Sequence, residues 1–474
     1  MNAMQLNNAV NANTVIVGLG TTGLSVARFL QQQQREFVVM DSRDNPPNAE
    51  DLKEDFANVP YHFGSFNREW LNQAGQIIVN PGIAVATPEI AQAQQAGAEV
   101  VGDIELFARA VNDISNNEKD NSKPIIAITG SNGKTTVTQL LDLMAKKSGF
   151  KVGTGGNIGT PALDLLADDA NELFVLELSS FQLETTTSLH TTTAVILNVS
   201  EDHLDRYNND IEAYAQAKGV IYKNCQQLVY NRDDAYSTQL ANSKTAVSFG
   251  LNKPQENHYG IQSKKGADWL AKGQTLLMPV SDIKLPGLHN VSNALAALAL
   301  GELAGLKLTA MLEVLREYAG LEHRTQWLAN IEGIDWYNDS KGTNVGATLA
   351  ALTGLTGKTV LIAGGQGKGA DFSPLTKAIH KHAQAVVLMG EDADKIATVI
   401  PESTPMVKVE SMQAAVLEAS KLAKLGQSQG EDRMNVLLSP ACASFDMFKN
   451  YMVRGEQFIQ HVMNLESHCK KELV

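Results

Sequence analysis

The sequence predicts an α/β fold of three domains: an N-terminal Rossmann-like unit, a central parallel sheet of the P-loop ATPase type, and a C-terminal Rossmann-like unit. Three observations carry this expectation. Short β-rich runs alternate with helix-period segments almost throughout, which implies mainly parallel sheets covered by helices. Two glycine-rich turns, each following a buried strand and opening a helix, stand in different parts of the chain. The length of 474 residues exceeds what one hydrophobic core ordinarily supports.

Strands are expected at Thr14–Gly18, Phe37–Asp41, Gln76–Asn80, Pro124–Gly130, Leu173–Ser179, Thr193–Val199, Thr359–Gly364, Ala385–Gly390 and Asn435–Pro440. From Val111 to Lys123 the chain reads VNDISNNEKDNSK, polar and without apolar periodicity, which reads as a linker. A second break is expected at Ala319–Glu322, where a helical segment ends at Gly320 and a strand pattern begins at Trp327. The expected domains are residues 1–107, 108–319 and 320–474.

Composition narrows the function. A net charge of −13 argues against a nucleic-acid partner, because such binding relies on Lys and Arg neutralising phosphates. Cys225, Cys442 and Cys469 are far apart and lack C-x-x-C spacing, which argues against a disulfide framework or a structural zinc. Residues Met1–Asn13 have neither a basic region nor an apolar run, so no secretory signal is expected. The apolar stretch Ala294–Leu306 is broken by Gly301 and Glu302 and is too short for a membrane span. A cytoplasmic protein without membrane insertion is expected.

Two loops suggest nucleotides. Gly18-Leu19-Gly20-Thr21-Thr22-Gly23 follows the strand TVIVG and opens a helix whose N-terminal N–H groups could receive a diphosphate. Asp41 closes the next strand, where a nicotinamide-binding fold would keep its ribose-binding acid, so an oxidoreductase remains an alternative on these residues. The second loop is stronger. The strand IIAIT runs into Gly130-Ser131-Asn132-Gly133-Lys134-Thr135-Thr136, although Ile128 occupies the position of the first Walker glycine. Gly130 and Gly133 let the backbone wrap phosphates, Lys134 brings a point charge, and the Thr135 hydroxyl can take Mg²⁺. Glu177 ends the strand LFVLE, and Asp202 and His203 follow TAVIL. A carboxylate and an imidazole near a triphosphate suit Mg²⁺.

Nine motifs then follow in a telling order: TGSNGKTT, GGNIG, ELSSFQLE, NVSEDHLDRY, LPGLHNVSNALAALAL, LEHRTQ, NDSKGTN, GGQGKGADF and LLSPACASFDMFKNY. Over nearly its whole length the chain resembles the Mur ligase family, in particular its D-glutamate-adding branch. The resemblance implies an ATP-dependent, amide-forming ligase of peptidoglycan synthesis that acts as a monomer. Its small-molecule substrates would be UDP-N-acetylmuramoyl-L-alanine and D-glutamate, joined through an acyl phosphate.

The same resemblance implies the site. Gly18, Thr21, Ser42, Arg43, Gly82 and Asn157 would hold the UDP-substrate. Gly130, Asn132, Gly133, Lys134, Thr135, Thr136, Asn293, Arg324, Asp339 and Lys341 would hold ATP. Two Mg²⁺ sites would draw on Thr135, Glu177, His203 and Lys218, with Lys218 carbamylated; Lys134, Glu177, His203 and Lys218 would carry the chemistry. D-glutamate would meet Thr343, Lys368, Ser444, Phe445 and Tyr451. Three positions depart from the family pattern: Gln366 for Asp, Phe445 for Leu and Tyr451 for Phe. On residues alone Lys218 reads as a surface helix lysine. An unreactive nucleotide-binding regulator and a different amide-forming ligase are the remaining alternatives. Closure of the domains about a hinge near residues 319–322 is also expected.

Overall fold

The computed structural model describes residues 13–117, 123–241, 246–285, 287–320, 322–431 and 433–472, apart from the side chains of 114–117 and 466–472. Its strands fall into three sheets. The first holds β1 (Thr14–Val17), β2 (Val38–Asp41), β3 (Tyr61–Phe63), β4 (Gln76–Val79) and β5 (Glu99–Val101). All are parallel, in the order β3-β2-β1-β4-β5. The order reverses between β1 and β4, which opens a crevice at their carboxyl ends.

The second sheet begins with β6 (Ile125–Thr129), β7 (Val152–Gly156), β8 (Leu173–Glu177), β9 (Thr191–Ile196), β10 (Cys225–Asn231) and β11 (Val247–Phe249). It ends in an antiparallel extension, β12 (Tyr259–Lys264), β13 (Ala267–Lys272) and β14 (Thr275–Pro279), that the sequence reading did not anticipate. The order is β14-β13-β12-β11-β10-β9-β6-β8-β7, with the phosphate-loop strand β6 inside the parallel part. The third sheet contains β15 (Gln326–Ile331), β16 (Ile334–Asn338), β17 (Lys358–Ala363), β18 (Ala383–Leu388), β19 (Met406–Lys408) and β20 (Met434–Leu438). Its order is β15-β16-β20-β17-β18-β19, and only β15 runs antiparallel to its neighbour.

The two-residue period of strands decides what each face buries. Ile125 and Ala127 of β6 enter one apolar cluster, while Ile126 and Ile128 enter another beneath the helices Lys134–Ser148 and Leu288–Leu303. The first cluster is continuous with the first sheet through Ile16, Leu30 and Phe107, and Phe107 meets Phe174 edge to face with ring centroids 5.3 Å apart. Polar ties reinforce that junction: Ser25 and Arg28 both donate to Asp164, and the backbone N–H groups of Thr187 and Ser188 donate to Glu105. The first two sheets therefore share one core.

The expected linker needs correction. The helix Asp103–Asn117 runs through its first half, because Val111 is buried in the shared core and the Asn112 amide donates to the Ser188 carbonyl. Tertiary contacts outweigh the polar composition there; residues 118–122 lie outside the described residues. Leu321, within the expected hinge, also lies outside them, while Gly320 sits at φ +106°, a conformation that favours glycine.

The third sheet has its own apolar clusters on its two faces and meets the second through polar contacts near the phosphate loop. Arg324 donates to the Thr135 hydroxyl (2.7 Å), and the Asn344 amide bonds Asn132 and Asp202 (both 3.3 Å). Among the described residues no helix is long and apolar enough to cross a membrane. Cys225 and Cys442 are free thiols.

Candidate active site

The phosphate loop turns on two glycines at positive φ, Gly130 (+154°) and Gly133 (+85°). The backbone conformation of Gly133 favours glycine, and a Cβ there would lie 2.5 Å from Asn293 Oδ1, so that side chain would have to shift to admit it. Asn198 braces the loop from both sides, accepting from the Asn132 N–H and donating to the Asn132 carbonyl. Lys134 opens the following helix but folds back, its Nζ donating to the carbonyls of Gly130 (2.7 Å) and Ser131 (3.0 Å). Burial lowers the Lys134 pKa, against the pull of Glu177 and Asp202.

Lys218 is not the surface lysine that its residue context suggested. It is 1% exposed, sits over the Tyr214 ring at 4.2 Å, and donates to the Gly130 carbonyl at 3.1 Å. Burial, together with the Lys134 cation, holds its pKa well below the ordinary lysine value, which favours a neutral amine. Glu177 is buried too. One carboxylate oxygen accepts from the Asn157 amide (2.9 Å), and the other, Oε2, is buried without a partner.

That unpartnered oxygen tests the fit of Mg²⁺. A buried carboxylate oxygen without a donor suits a cation, and Mg²⁺ usually needs only one or two carboxylates besides substrate phosphates and water. Among the described residues no three His, Cys, Asp or Glu side chains converge as an all-protein metal cage, so the residues fit a cation shared with a nucleotide. The Thr135 hydroxyl accepts from Arg324 and keeps a second lone pair. His203 lies half exposed on a turn at φ +53°, with Nε2 3.6 Å from Asp202 and its ring edge-on to Phe181.

A cavity of about 360 Å³ opens beside the loop, between the second and third sheets. Of the residues expected at ATP, Asn132, Gly133, Thr136, Asn293, Arg324, Asp339 and Lys341 line it, whereas Gly130, Lys134 and Thr135 of the same loop do not. Asp339 accepts from the Thr325 N–H (3.0 Å) and the Ser439 hydroxyl (2.7 Å), and burial raises its pKa to about 6. Burial lowers the Lys341 pKa to about 8, with Arg324 acting in the same direction. Lys341, from the third sheet, also feels Glu177, Lys134 and Asp202 of the second, so the two sheets share one charge cluster.

The sequence reading missed several lining groups, among them Asp234, His289, Asn290 and Thr325. The Asn290–Asn293 pair was available as an i, i+3 repeat in LPGLHNVSN, one turn of a helix whose Asn293 amide donates to Asn290. Thr325 carried no local signal: the backbone reversal at φ +39° brings its N–H onto Asp339.

In the first sheet, Gly18, Thr21, Ser42, Arg43 and Gly82 all follow carboxyl ends of strands, and Asn157 follows β7 in the second. A Cβ on Gly18 would lie 2.7 Å from Asn80 Cβ, so the glycine turn and the loop after β4 pack directly across the crevice. Asp41 is committed internally. Its oxygens accept from the Leu19 N–H and from the Arg43 N–H, Nε and Nη2. Burial raises its pKa, but the hydrogen bonds from Arg43 and Leu19 outweigh this and hold it below the ordinary value. The carboxylate reserved for a nicotinamide ribose is thus occupied by Arg43, which removes the basis of the oxidoreductase alternative.

The residues expected at D-glutamate gather at carboxyl ends of the third sheet. Lys368, at φ +52°, holds its ammonium 5.9 Å from the centroid of the exposed Phe445 ring. Lys341 stands over the Tyr451 ring at 4.1 Å, Ser340 donates to the Tyr451 carbonyl, and Ser444 is buried. Thr343 lies two residues beyond Lys341, its N–H on the Lys341 carbonyl.

A phosphate loop, a nucleotide-sized cavity closed by a second α/β unit and a switch-point crevice together define a three-domain nucleotide-binding α/β protein. Residues 12–102 match the N-terminal domain of MurD-like Mur ligases, 128–301 the Mur ligase middle domain, and 323–442 the Mur ligase glutamate ligase domain. The chain belongs to the Mur ligase family.

A "UDP-N-acetylmuramoylalanine--D-glutamate ligase" of Pseudomonas syringae pathovar tomato is 49% identical over 453 residues, 94% of this chain and 97% of that protein. A protein of the same name from Legionella pneumophila is 44% identical over 459 residues, 95% of this chain and 99% of its own length. Among solved structures, UDP-N-acetylmuramate-alanine ligase MurC of Thermotoga maritima aligns over 95% of this chain and 99% of its own, with a TM-score of 0.55 at 19% identity. MurF of Acinetobacter baumannii covers 95% and 92%, with 0.57 at 15%. These last two show the shared fold.

Proposed function

We propose that this chain joins D-glutamate to UDP-N-acetylmuramoyl-L-alanine at the expense of ATP, in peptidoglycan precursor synthesis. The observation that carries the reading is the polar cluster at the seam of the second and third sheets, where Arg324 donates to the Thr135 hydroxyl, Asn344 donates to Asp202, and Lys341 and Asp339 line the same cavity as Asn132 and Gly133. Such a cluster, beside a nucleotide-sized cavity, suits phosphoryl transfer, where catalysis is mostly positioning and charge stabilisation.

The alanyl carboxylate of the UDP-substrate attacks the γ-phosphorus of ATP, releasing ADP and giving an acyl phosphate. The uncharged amine of D-glutamate then attacks the acyl carbon; phosphate leaves, and the amine loses its proton as the amide forms. Lys134 and Lys341 offset charge on the transferring phosphoryl group. Gly130, Asn132, Gly133 and Thr136 wrap the phosphates, and Asn293, Arg324 and Asp339 meet the nucleoside side. Gly18, Thr21, Ser42, Arg43, Gly82 and Asn157 hold the UDP-substrate. Lys368 pairs a D-glutamate carboxylate, flanked by Thr343, Ser444, Phe445 and Tyr451.

Thr135, Glu177, His203 and a carbamylated Lys218 would hold Mg²⁺, which neutralises phosphate charge when bound. The buried, cation-flanked Lys218 amine is suited to carbamylation, since only the neutral amine adds carbon dioxide. Closing the three domains excludes water from the acyl phosphate.

The test is phosphate release from ATP with UDP-N-acetylmuramoyl-L-alanine, comparing D-glutamate with L-glutamate, L-alanine, L-lysine and meso-diaminopimelate. Release that requires D-glutamate, with a product heavier by one glutamyl unit, supports the reading. Release with another amino acid overturns the choice of acceptor, and no release with any overturns the reaction.

A further inference from the structure

We infer that Arg206 is a positioning residue for the sugar-peptide end of the UDP-substrate, tying the loop after β4 to the turn that carries His203. The inference rests on the reading that the first domain holds the UDP-substrate, and it concerns a residue outside the site derived above.

Arg206 belongs to a short helical turn, Leu204–Tyr207, directly after His203, and its N–H donates to the His203 carbonyl (3.1 Å). Its guanidinium reaches across to the first domain. Nη2 donates to the Ile83 carbonyl at 3.2 Å and to Glu184 Oε2 at 2.8 Å, and the guanidinium carbon lies 4.6 Å from the centroid of the Phe181 ring. The Arg206 and Glu184 side chains are only 13% and 20% exposed, so this is not a screened surface pair.

Ile83 is the neighbour of Gly82 in the turn closed by the Ile83 N–H on the Asn80 carbonyl. Asn80 packs on the glycine turn, and its own N–H donates to Val17 at the end of β1. On the other side, Phe181 touches the His203 ring edge-on, with centroids 5.4 Å apart. A continuous path of contacts thus runs from the diphosphate turn through Asn80, Ile83, Arg206 and Phe181 to His203.

The substrate must span the same interval, with its diphosphate at the glycine turn and its alanyl carboxylate near the transferring phosphate. Arg206 fixes the separation of those two ends. A planar guanidinium can stack on a ring while donating within its plane to a carbonyl and a carboxylate; an ammonium keeps the charge but has no plane to stack and only one nitrogen from which to reach all three.

Calorimetric titration of Arg206→Met and Arg206→Lys with UDP, UDP-N-acetylmuramoyl-L-alanine and ADP tests this, with melting temperature as a check of folding. Arg206→Met should weaken the full substrate about tenfold, the scale of one lost charge-assisted hydrogen bond. Arg206→Lys should lose part of that, and UDP and ADP should bind as to the parent. Unchanged affinity for the full substrate, or an equal loss for UDP, overturns the inference. If Arg206→Met does not fold, Glu184→Gln, which weakens one tether, should shift the full substrate in the same direction by less, and no shift overturns it. A parent protein that binds neither UDP nor the full substrate overturns the underlying reading as well.

Discussion

Replacing Asp339 by Asn should make the protein more stable at neutral pH and a poorer nucleotide binder. The carboxyl is 7% exposed, and burial raises its pKa from 3.8 to about 6. At 1.36 kcal/mol per pH unit, keeping it ionised in the fold costs about 3 kcal/mol at neutral pH. Between those two pKa values the folded chain binds more protons than the unfolded one, so this group's contribution to stability falls as pH rises through the window. An amide keeps most of the hydrogen bonds. Its oxygen can still accept from the Thr325 N–H, and Ser439 can donate to Thr348, 3.0 Å away, while accepting from the new NH₂. Asp339→Asn should therefore gain about 1 to 3 kcal/mol at pH 7.5 and about half as much at pH 5, where Asp339 is mostly protonated in the fold. Urea unfolding at the two pH values measures the gain. ADP affinity should fall about tenfold with the charged acceptor gone. A variant less stable than the parent at pH 7.5, or one whose gain is the same at pH 5, would refute the reasoning.

Gly133→Ala should weaken ADP binding by at least about tenfold: φ is +85° and the methyl would meet Asn293 Oδ1 at 2.5 Å, a strained backbone alone costing about 1 to 2 kcal/mol. Parent-like affinity in a titration would contradict this. Because the Lys341 pKa is lowered to about 8, its cation is lost as pH rises through that value, so kcat/KM for ATP should decline with a midpoint near pH 8. Lys341→Arg should move the decline to higher pH, and an unshifted profile would assign it to another group. Phe107→Ala should destabilise by about 3 to 5 kcal/mol, because Phe107 is fully buried where the first two sheets share a core. Separate melting of the first domain in the parent would show that no shared core exists.

Much of the candidate site could be proposed from sequence because its residues sit in strand–loop–helix motifs. In such units the chemistry follows the strand's carboxyl end: Lys134 after β6, Glu177 at the end of β8, Gly18 after β1. Lys218 shows the limit. Nothing in AQAK separates a buried lysine from an exposed one, and its burial comes from Tyr214 and Gly130, the latter 88 residues earlier. The helix Asp103–Asn117 shows the converse at Asn112, where polar composition is overridden by a loop distant in sequence whose Ser188 carbonyl accepts from the Asn112 amide.

By itself, then, the sequence determined the class of fold, the phosphate loop and the order of motifs, since each depends on residues close together along the chain. Tertiary structure decided the rest: Asp41 goes to Arg43 rather than to a ribose, Arg324 reaches Thr135 across 189 residues, and Arg206 reaches Ile83 across 123. The physical reason is that a side chain's burial and charge environment are set by elements far away in sequence. Local pattern carries the strands and their turns, whereas pKa values and cross-sheet contacts exist only once the sheets have packed.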